Sequence, residues 1–415
     1  MKMGYDIIDI NRKKSLIRSN ELDKIAIDDN KHKSKVRIGC SESSKRLYEN
    51  NKNKILNELN ASQEDWENPK WQLKNRISDV DEILKYTDLS KKDYDDIRKV
   101  SEKHRFAITP YYFSLIDFSN PNCPIKLQSV PSIKELDESG QLDPMCEEQS
   151  NPSGRITRRY PNKLIINVTN ACPMYCRHCQ RRRLIGNFDK HTPKEYIDES
   201  IEFIANHEAI REVLVTGGDA LLLSNNQLEN IFEKLSQISH VDVIRVGTRT
   251  LATLPFRIDN DLAILLRKYR VQLSTHFNHA CEITPQAVSA VDMLVDHGVL
   301  VRNQMVLLHN VNDDKYCIQK TNEELQKYRV IPYYLFHPKD VKSTKHFQVD
   351  ISKGLEIMKH LEGRTSGMCK PTYVYNSPGG LGKIPLVPME NIEQVKNGYK
   401  LTTWENKIIK KDFED

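Results

Sequence analysis

The chain is 415 residues long, 38% hydrophobic and 29% charged, with a net charge of +5. That length and apolar content suffice to bury one large core with appendages, and the charge is too slight to argue for nucleic acid. The first residues form no apolar signal segment and no stretch approaches the ~18 uninterrupted apolar residues of a membrane span, so neither nucleic acid nor membrane is an expected partner and a soluble, cytoplasmic protein is expected.

Residues 1–63 are rich in Lys, Asn, Asp and Ser with little apolar periodicity, and read as an appendage, partly helical or disordered. Residues 64–160 read as a helical region: Trp71, Leu73, Ile77, Val80, Ile83 and Leu84 recur at three- and four-residue steps, with Asp79 and Asp81 between them. From Lys163 onward, short β-branched runs alternate with helical ones. Strands are expected at 164–168, 212–215, 243–246, 271–274, 300–308 and 331–336, and helices at 194–206, 227–237, 261–268, 285–297, 322–328 and 352–361. Six β/α units in series, within a domain spanning 161–365, give a parallel sheet with right-handed crossovers. Periodicity alone does not separate a doubly wound sheet from an open barrel. Residues 366–415 form a separate C-terminal segment.

Three thiols, Cys172, Cys176 and Cys179, follow the first of these strands, with three and then two residues between them. Three thiolates are one too few for a closed zinc or iron–sulfur site, so the triad points to a cluster with one iron left open. A zinc knuckle completed by His178 is the competing reading. The other six cysteines read as buried structural thiols, and an oxygen-sensitive open cluster requires the same reducing compartment. Arg181, Arg182 and Arg183 read as partners for anions rather than as a nucleic-acid patch.

In α/β folds functional residues gather at the C-terminal ends of strands. Gly217, Gly218 and Asp219 follow the second strand, where two glycines let backbone approach a ligand and the acid offers a carboxylate. His276 ends the fourth strand and Gln304 lies in the fifth, each equally readable as a satisfied core polar group. Near the C-terminus, Ser377, Gly379, Gly380, Gly382 and Lys383 form a glycine-rich loop. It is not a Walker A loop, because Ser377 holds the first glycine position and Ile384 follows the lysine. A lysine on so open a backbone suits a Schiff base with pyridoxal phosphate (PLP); a plain turn with a solvated lysine is the alternative.

Segments 167–183, 216–221, 274–279, 365–367 and 377–383, in that order and spacing, resemble the lysine 2,3-aminomutase family of radical S-adenosylmethionine (SAM) enzymes over roughly 66–388. The resemblance implies an α/β fold: a radical SAM partial (β/α)6 barrel with an N-terminal helical appendage and a C-terminal PLP-lysine segment. It implies a [4Fe–4S] cluster on Cys172, Cys176 and Cys179, with SAM and PLP as further cofactors. Lys383 matches the PLP lysine. Arg159, Tyr160 and Lys163 fall at the phosphate-binding positions, Lys163 standing for an arginine and losing its bidentate fork. Arg181 matches the holder of the substrate α-carboxylate, Gly217, Gly218 and Asp219 fall in the SAM-binding segment, and His276 and Gln304 match polar groups of the cofactor pocket. The implied chemistry starts with reductive cleavage of SAM to a 5′-deoxyadenosyl radical, which takes hydrogen from Cβ of an amino acid held on PLP. Nitrogen then moves from Cα to Cβ through a three-membered ring and the hydrogen returns. An electron donor such as flavodoxin or ferredoxin is implied, and the family habit implies a homo-oligomer.

Two departures from the family matter. Lysine-specific members hold the substrate ammonium with two acidic residues, and the corresponding positions here are Lys339 and Asn376, in an ungapped register that a one-residue slip would move onto Asp340. A lysine side chain at Lys339 would meet a like charge, whereas both groups donate hydrogen bonds that a carboxylate accepts. The implied substrate is therefore acidic, glutamate before aspartate, and the implied activity interconverts L-glutamate and β-glutamate; a solvent-facing Lys339 is the bland alternative. The second departure is the tail, which has no cysteine after Cys369, so the C-terminal zinc cluster of many lysine-type members is not expected. The competing functions are a 2,3-aminomutase for lysine or another amino acid, a PLP-independent radical SAM methylase or maturase, and a zinc-binding interaction protein.

Overall fold

Alternation decides how the strands are used. In 163–169 the side chains of Leu164, Ile166 and Val168 are buried while those between them are not, and Val213 and Val215 repeat the pattern in the next strand. The computed structural model, which describes residues 2–186, 188–387, 391–396 and 398–412, shows what the two faces do. One face packs on helices; the other lines a cavity through Lys163, Ile165, Leu214, Thr216, Arg245 and Gly247. Period-two geometry thus separates core from site residue by residue.

The sheet has nine strands in sequential order: β1 (Ile156–Thr157), β2 (Lys163–Thr169), β3 (Glu212–Gly217), β4 (Val243–Gly247), β5 (Gln272–Thr275), β6 (Val301–Val306), β7 (Ile331–Phe336), β8 (Thr372–Asn376) and β9 (Lys383–Pro385). Strands β2 to β8 pair in parallel, with β1 and β9 antiparallel at the two edges. β1 and β9 do not pair with each other, so the sheet is a curled half-barrel open on one side. This is the partial barrel that the resemblance implied. The crossover helices Lys194–Ala205, Asn225–Ser236, Asn260–Lys268 and Pro285–Asp296 bury Ile201, Leu228, Leu262 and Val291 against the strands in one continuous core.

Two expectations need correction, and a third is met in its helical form. A seventh parallel strand, β8, follows the six expected, and it carries Asn376. The helix expected at 322–328 begins at Lys315, where the Asp314 side chain caps the amides of Tyr316 and Cys317. Residues 1–63 are largely helical, in Lys2–Lys33 and Glu42–Leu59. Tyr48 and Ile55 of the second helix join Trp66, Ile83, Tyr111 and Phe113 in a second core, to which Met174 of the cysteine loop also belongs. The low apolar content of 1–63 hid this because two well-placed residues suffice to dock a helix onto a neighbouring core.

All nine cysteines are free thiols; Cys123, Cys281, Cys317 and Cys369 are buried, and Cys40 and Cys146 are half-buried. Among the described residues, no helix is long and apolar enough to cross a membrane. A three-stranded antiparallel sheet, Ile392–Val395, Gly398–Thr402 and Ile408–Asp412, follows the barrel.

The two glycines at the end of β3 make a close approach to the chain's own backbone. A Cβ on Gly218 would lie 2.2 Å from the Ala171 carbonyl oxygen, and one on Gly217, at φ +135°, 2.3 Å from that of Thr169. The freed space admits two hydrogen bonds, from the Gly218 amide to Thr169 O (2.6 Å) and from the Asp219 amide to Ala171 O (2.8 Å). Gly218→Ala is expected to push the cysteine loop off β3 and to cost roughly 1–3 kcal/mol, the usual range for overpacking. Denaturant unfolding of the metal-free protein reads the stability, and iron retention after reconstitution reads the loop.

Candidate active site

A cavity of about 310 Å³ runs inside the half-barrel, lined from Lys163 and Glu212, the first residues of β2 and β3, to the loops beyond the C-terminal ends of the strands. Cys172, Cys176, Cys179, Arg181, Gly217, Gly218, Asp219, His276, Gln304, Lys339, Asn376 and Lys383 all line it, together with Arg159 and Lys163. Segments separated by more than two hundred residues in sequence therefore converge on one space.

The cysteine loop is gripped from several sides. Arg249, just beyond β4, donates to Cys176 Sγ (2.7 Å), to Gln128 Oε1 (2.6 Å) and to Glu282 Oε1 (2.6 Å). Burial alone would favour a neutral guanidine at Arg249, but Cys176, Tyr112 and Glu282 outweigh it and keep the cation. Asp219 is buried; its carboxylate accepts from Thr248 Oγ1 (2.7 Å), the Arg249 amide (2.8 Å) and the Leu221 amide (3.1 Å). Asp219 thus ties the loop after β3 to the loop after β4. Burial, aided by Cys176, pushes the Cys179 thiol up to about 11, and Cys172 is also raised. Cationic irons reverse that penalty, and a guanidinium donor suits a thiolate ligand. These residues fit an iron–sulfur cluster. His178 packs edge-on against Phe347, with Nε2 3.4 Å from Asn278 Nδ2.

At the start of β9, Lys383 Nζ lies 5.4 Å from the ring centroids of both Tyr160 and Tyr334. Burial, then the charges of Lys163, Arg245 and Arg159, lower its pKa to about 8. An amine that sheds its proton so readily is suited to imine formation, and the same cations suit a phosphate. Gly380, at φ +74°, leaves room for Met145 O and the Arg159 side chain, which a Cβ would meet at 2.8 and 3.0 Å. The pocket fits PLP. In the β8–β9 pair Asn376 stands directly opposite Lys383, and both face the cavity.

Of the two residues at the alternative registers, Lys339 lines the cavity and Asp340 is exposed. Lys339 Nζ donates to Gln180 Oε1. Burial and the nearby Arg159 charge lower its pKa to about 7. Burial and Arg249 likewise hold His276 at about 4, a neutral imidazole. The arginine run finds its anions within the protein: Arg182 on Glu135, Arg183 on Asp143 (3.0 Å), and Arg181 on Glu147 (3.0 Å). Glu147, Gln180, Arg245, Arg249 and Tyr334 are site residues that the sequence reading passed over. For Arg249 the position just after a strand was an available signal; for Glu147 there was none.

Comparison with known proteins identifies the family. Residues 166–317 match the Radical SAM superfamily and residues 358–414 match the family described as Lysine-2,3-aminomutase. The chain is 52% identical over 365 residues to the glutamate 2,3-aminomutase of Clostridioides difficile (strain 630), covering 88% of this chain and 86% of that one. It is 43% identical over 352 residues to the L-lysine 2,3-aminomutase of Fusobacterium nucleatum subsp. nucleatum (84% and 83% covered), and 42% identical over 357 residues to that of Clostridium subterminale (85% and 84%). The chain belongs to the lysine 2,3-aminomutase family. It is a radical SAM aminomutase, an isomerase whose family uses a [4Fe–4S] cluster, SAM and PLP. Membership sets aside the PLP-free methylase or maturase and the zinc-binding interaction protein.

Lys383→Ala is expected to abolish the visible absorbance and the borohydride-trapped label of PLP while leaving iron content at the wild-type level, because the lysine and the cysteines stand on separate segments, β9 and the loop after β2. Covalent label retained at another lysine would contradict the assignment.

Proposed function

We propose that this aminomutase interconverts L-glutamate and β-glutamate. The observation that carries the reading is Asn376 Nδ2, a buried donor facing the cavity with no hydrogen-bond partner among the described residues. A buried donor left unpaired costs roughly 1–3 kcal/mol, which an acceptor on the substrate removes. The Lys339 ammonium lines the same cavity. The two acids lining it offer no free carboxylate to a substrate ammonium: Glu212 is paired with Arg245, and Asp219 is held by Thr248 and backbone amides. Two donors without a free acid suit a side-chain carboxylate. The name of the Clostridioides difficile relative agrees.

In this reading Cys172, Cys176 and Cys179 hold the cluster, with Gly217, Gly218 and Asp219 shaping the SAM side. Lys383 bonds PLP, and Arg159, Tyr160 and Lys163 take its phosphate. His276 and Gln304 line the cofactor pocket, Arg181 takes the substrate α-carboxylate, and Lys339 with Asn376 takes the side-chain carboxylate. The PLP, once bound, supplies the π-system that lets nitrogen migrate. The protein's own task is to fix the amino acid at both ends, so that Cβ is presented in one orientation and water is excluded. A flavodoxin or ferredoxin as electron donor, a homo-oligomer and a cytoplasmic setting belong to the same proposal.

Wild-type protein should convert L-glutamate to β-glutamate and leave L-lysine nearly untouched. Lys339→Ala should lower turnover efficiency on glutamate about ten- to a hundredfold, the worth of one charge-assisted hydrogen bond at roughly 1.5–3 kcal/mol. The double variant Lys339→Asp with Asn376→Asp should shift preference toward lysine by replacing repulsion with attraction. A wild type that prefers lysine would refute the substrate assignment.

The lowered Lys339 pKa gives a second test. Above pH ~7 the free lysine has lost its proton, and a bound carboxylate favours the charged form, so glutamate binding at pH 8 should take up a proton at this site. Calorimetry in buffers of different ionisation enthalpy should find that uptake in the wild type and a smaller one, by up to one proton, in Lys339→Met.

A further inference from the structure

A guanidinium has two hydrogen-bonding edges, and at Arg181 one of them is filled from within the protein. Arg181 Nε donates to both oxygens of Glu147 (3.2 and 3.0 Å) and Nη2 donates to Oε1 (3.0 Å). On the other edge, Nη1 makes only a 3.5 Å contact with Gly217 O. The side chains of both residues are about nine-tenths buried, at 10% and 8% exposure. Arg181 lines the cavity, whereas Glu147 lies behind it. Glu147 is held in turn by its chain neighbours, since Asp143 and Glu148 both pair with Arg183 (3.0 and 2.8 Å) and so dock this segment on the arginine run.

We propose that Glu147 is a positioning residue that fixes the plane of Arg181, leaving the Nη1–Nη2 edge directed to the cavity to receive the substrate α-carboxylate. The inference rests on the reading of Arg181 as the α-carboxylate holder and is independent of which side chain the substrate carries. A planar fork binds a carboxylate through two parallel hydrogen bonds only if its plane is held. Glu147 offers two acceptor oxygens to two donors, which is the geometry that holds it. Burial alone would raise the Glu147 pKa, but Arg181, Arg159 and Lys339 together hold it at about 2, so the anion persists at every working pH.

Glu147 also stands among cations, with Arg159 Nη2 3.8 Å from Oε1, and simple charge balance is the rival account. The two accounts predict opposite signs. If Glu147 only neutralises charge, Glu147→Gln leaves a more positive cavity and binds an anionic amino acid more tightly. If it positions Arg181, Glu147→Gln sets an amide donor against a guanidinium donor, the plane loosens and binding weakens.

The test measures dissociation constants from the visible-band shift of the PLP-loaded protein on titration without reductant, so that no turnover occurs. The probes are L-glutamate and 4-aminobutyrate, which lacks the α-carboxylate. Glu147→Gln and Arg181→Met should each weaken L-glutamate at least about tenfold, change 4-aminobutyrate no more than about twofold, and leave iron content unaltered; Glu147→Asp should restore part of the glutamate affinity. Unchanged or tighter glutamate binding by Glu147→Gln overturns the proposal in favour of charge balance. Equal weakening of both ligands overturns it in favour of a general packing defect. If Arg181→Met also leaves glutamate affinity unchanged, the reading of Arg181 itself fails, an outcome distinct from failure of Glu147 alone.

Discussion

The backbone contact between the end of β3 and the start of the cysteine loop is the constraint on which the site depends. It exists because positions 217 and 218 lack a Cβ, which allows the amides of Gly218 and Asp219 to reach Thr169 O and Ala171 O. Asp219, fixed there, accepts from Thr248 and from the Arg249 amide, and Arg249 in turn donates to Cys176 Sγ. The cysteine loop is thus referenced to three neighbouring strands, not left as a free excursion. From outside, Met174 anchors it in the N-terminal helical core. A loop that must hold three thiolates at fixed separations needs such bracing, because ligand geometry set by a flexible segment would be lost to conformational entropy.

The charge arrangement follows the same economy. Lys163, Arg159 and Arg245 surround one end of the cavity, and each added cation lowers the cost of deprotonating Lys383. Left uncompensated, so many buried cations would destabilise the fold. The protein supplies Glu147 to Arg181 and Glu212 to Arg245. Among the described residues it supplies no acceptor for the Asn376 amide. Unmet hydrogen-bonding capacity at that point matches the anionic groups of PLP and an acidic amino acid, and binding energy is spent where the protein has left its own groups unpaired.

The antiparallel edge explains why one sheet serves both cofactor and substrate. Strand β9 returns along β8 so that Lys383 faces Asn376 across the pair, and Gln304 pairs with Tyr334 on the neighbouring strands. Side chains directly opposite in a sheet share a face. The lysine proposed to bond the cofactor and the asparagine proposed to select the side chain are therefore positioned by the same hydrogen-bonded ladder.

What the sequence by itself determined was whatever depends on neighbours along the chain. The spacing of Cys172, Cys176 and Cys179, the period-two strands from 163 to 336 and the glycine-rich approach to Lys383 were all legible, because each is a relation within one short segment; Lys339 and Asn376 stood out only through the family resemblance. The tertiary structure alone decided the rest. That Glu147 meets Arg181, that Arg249 reaches Cys176, and that Gly218 packs directly on the Ala171 backbone are contacts between segments 34, 73 and 47 positions apart. Nor did composition reveal that helix 42–59 docks through Tyr48 and Ile55, or that β8 adds a seventh parallel strand. Such pairings follow from strand order and sheet curl, which bring distant residues within hydrogen-bonding reach, and no local periodicity encodes a distance that only the closed sheet creates.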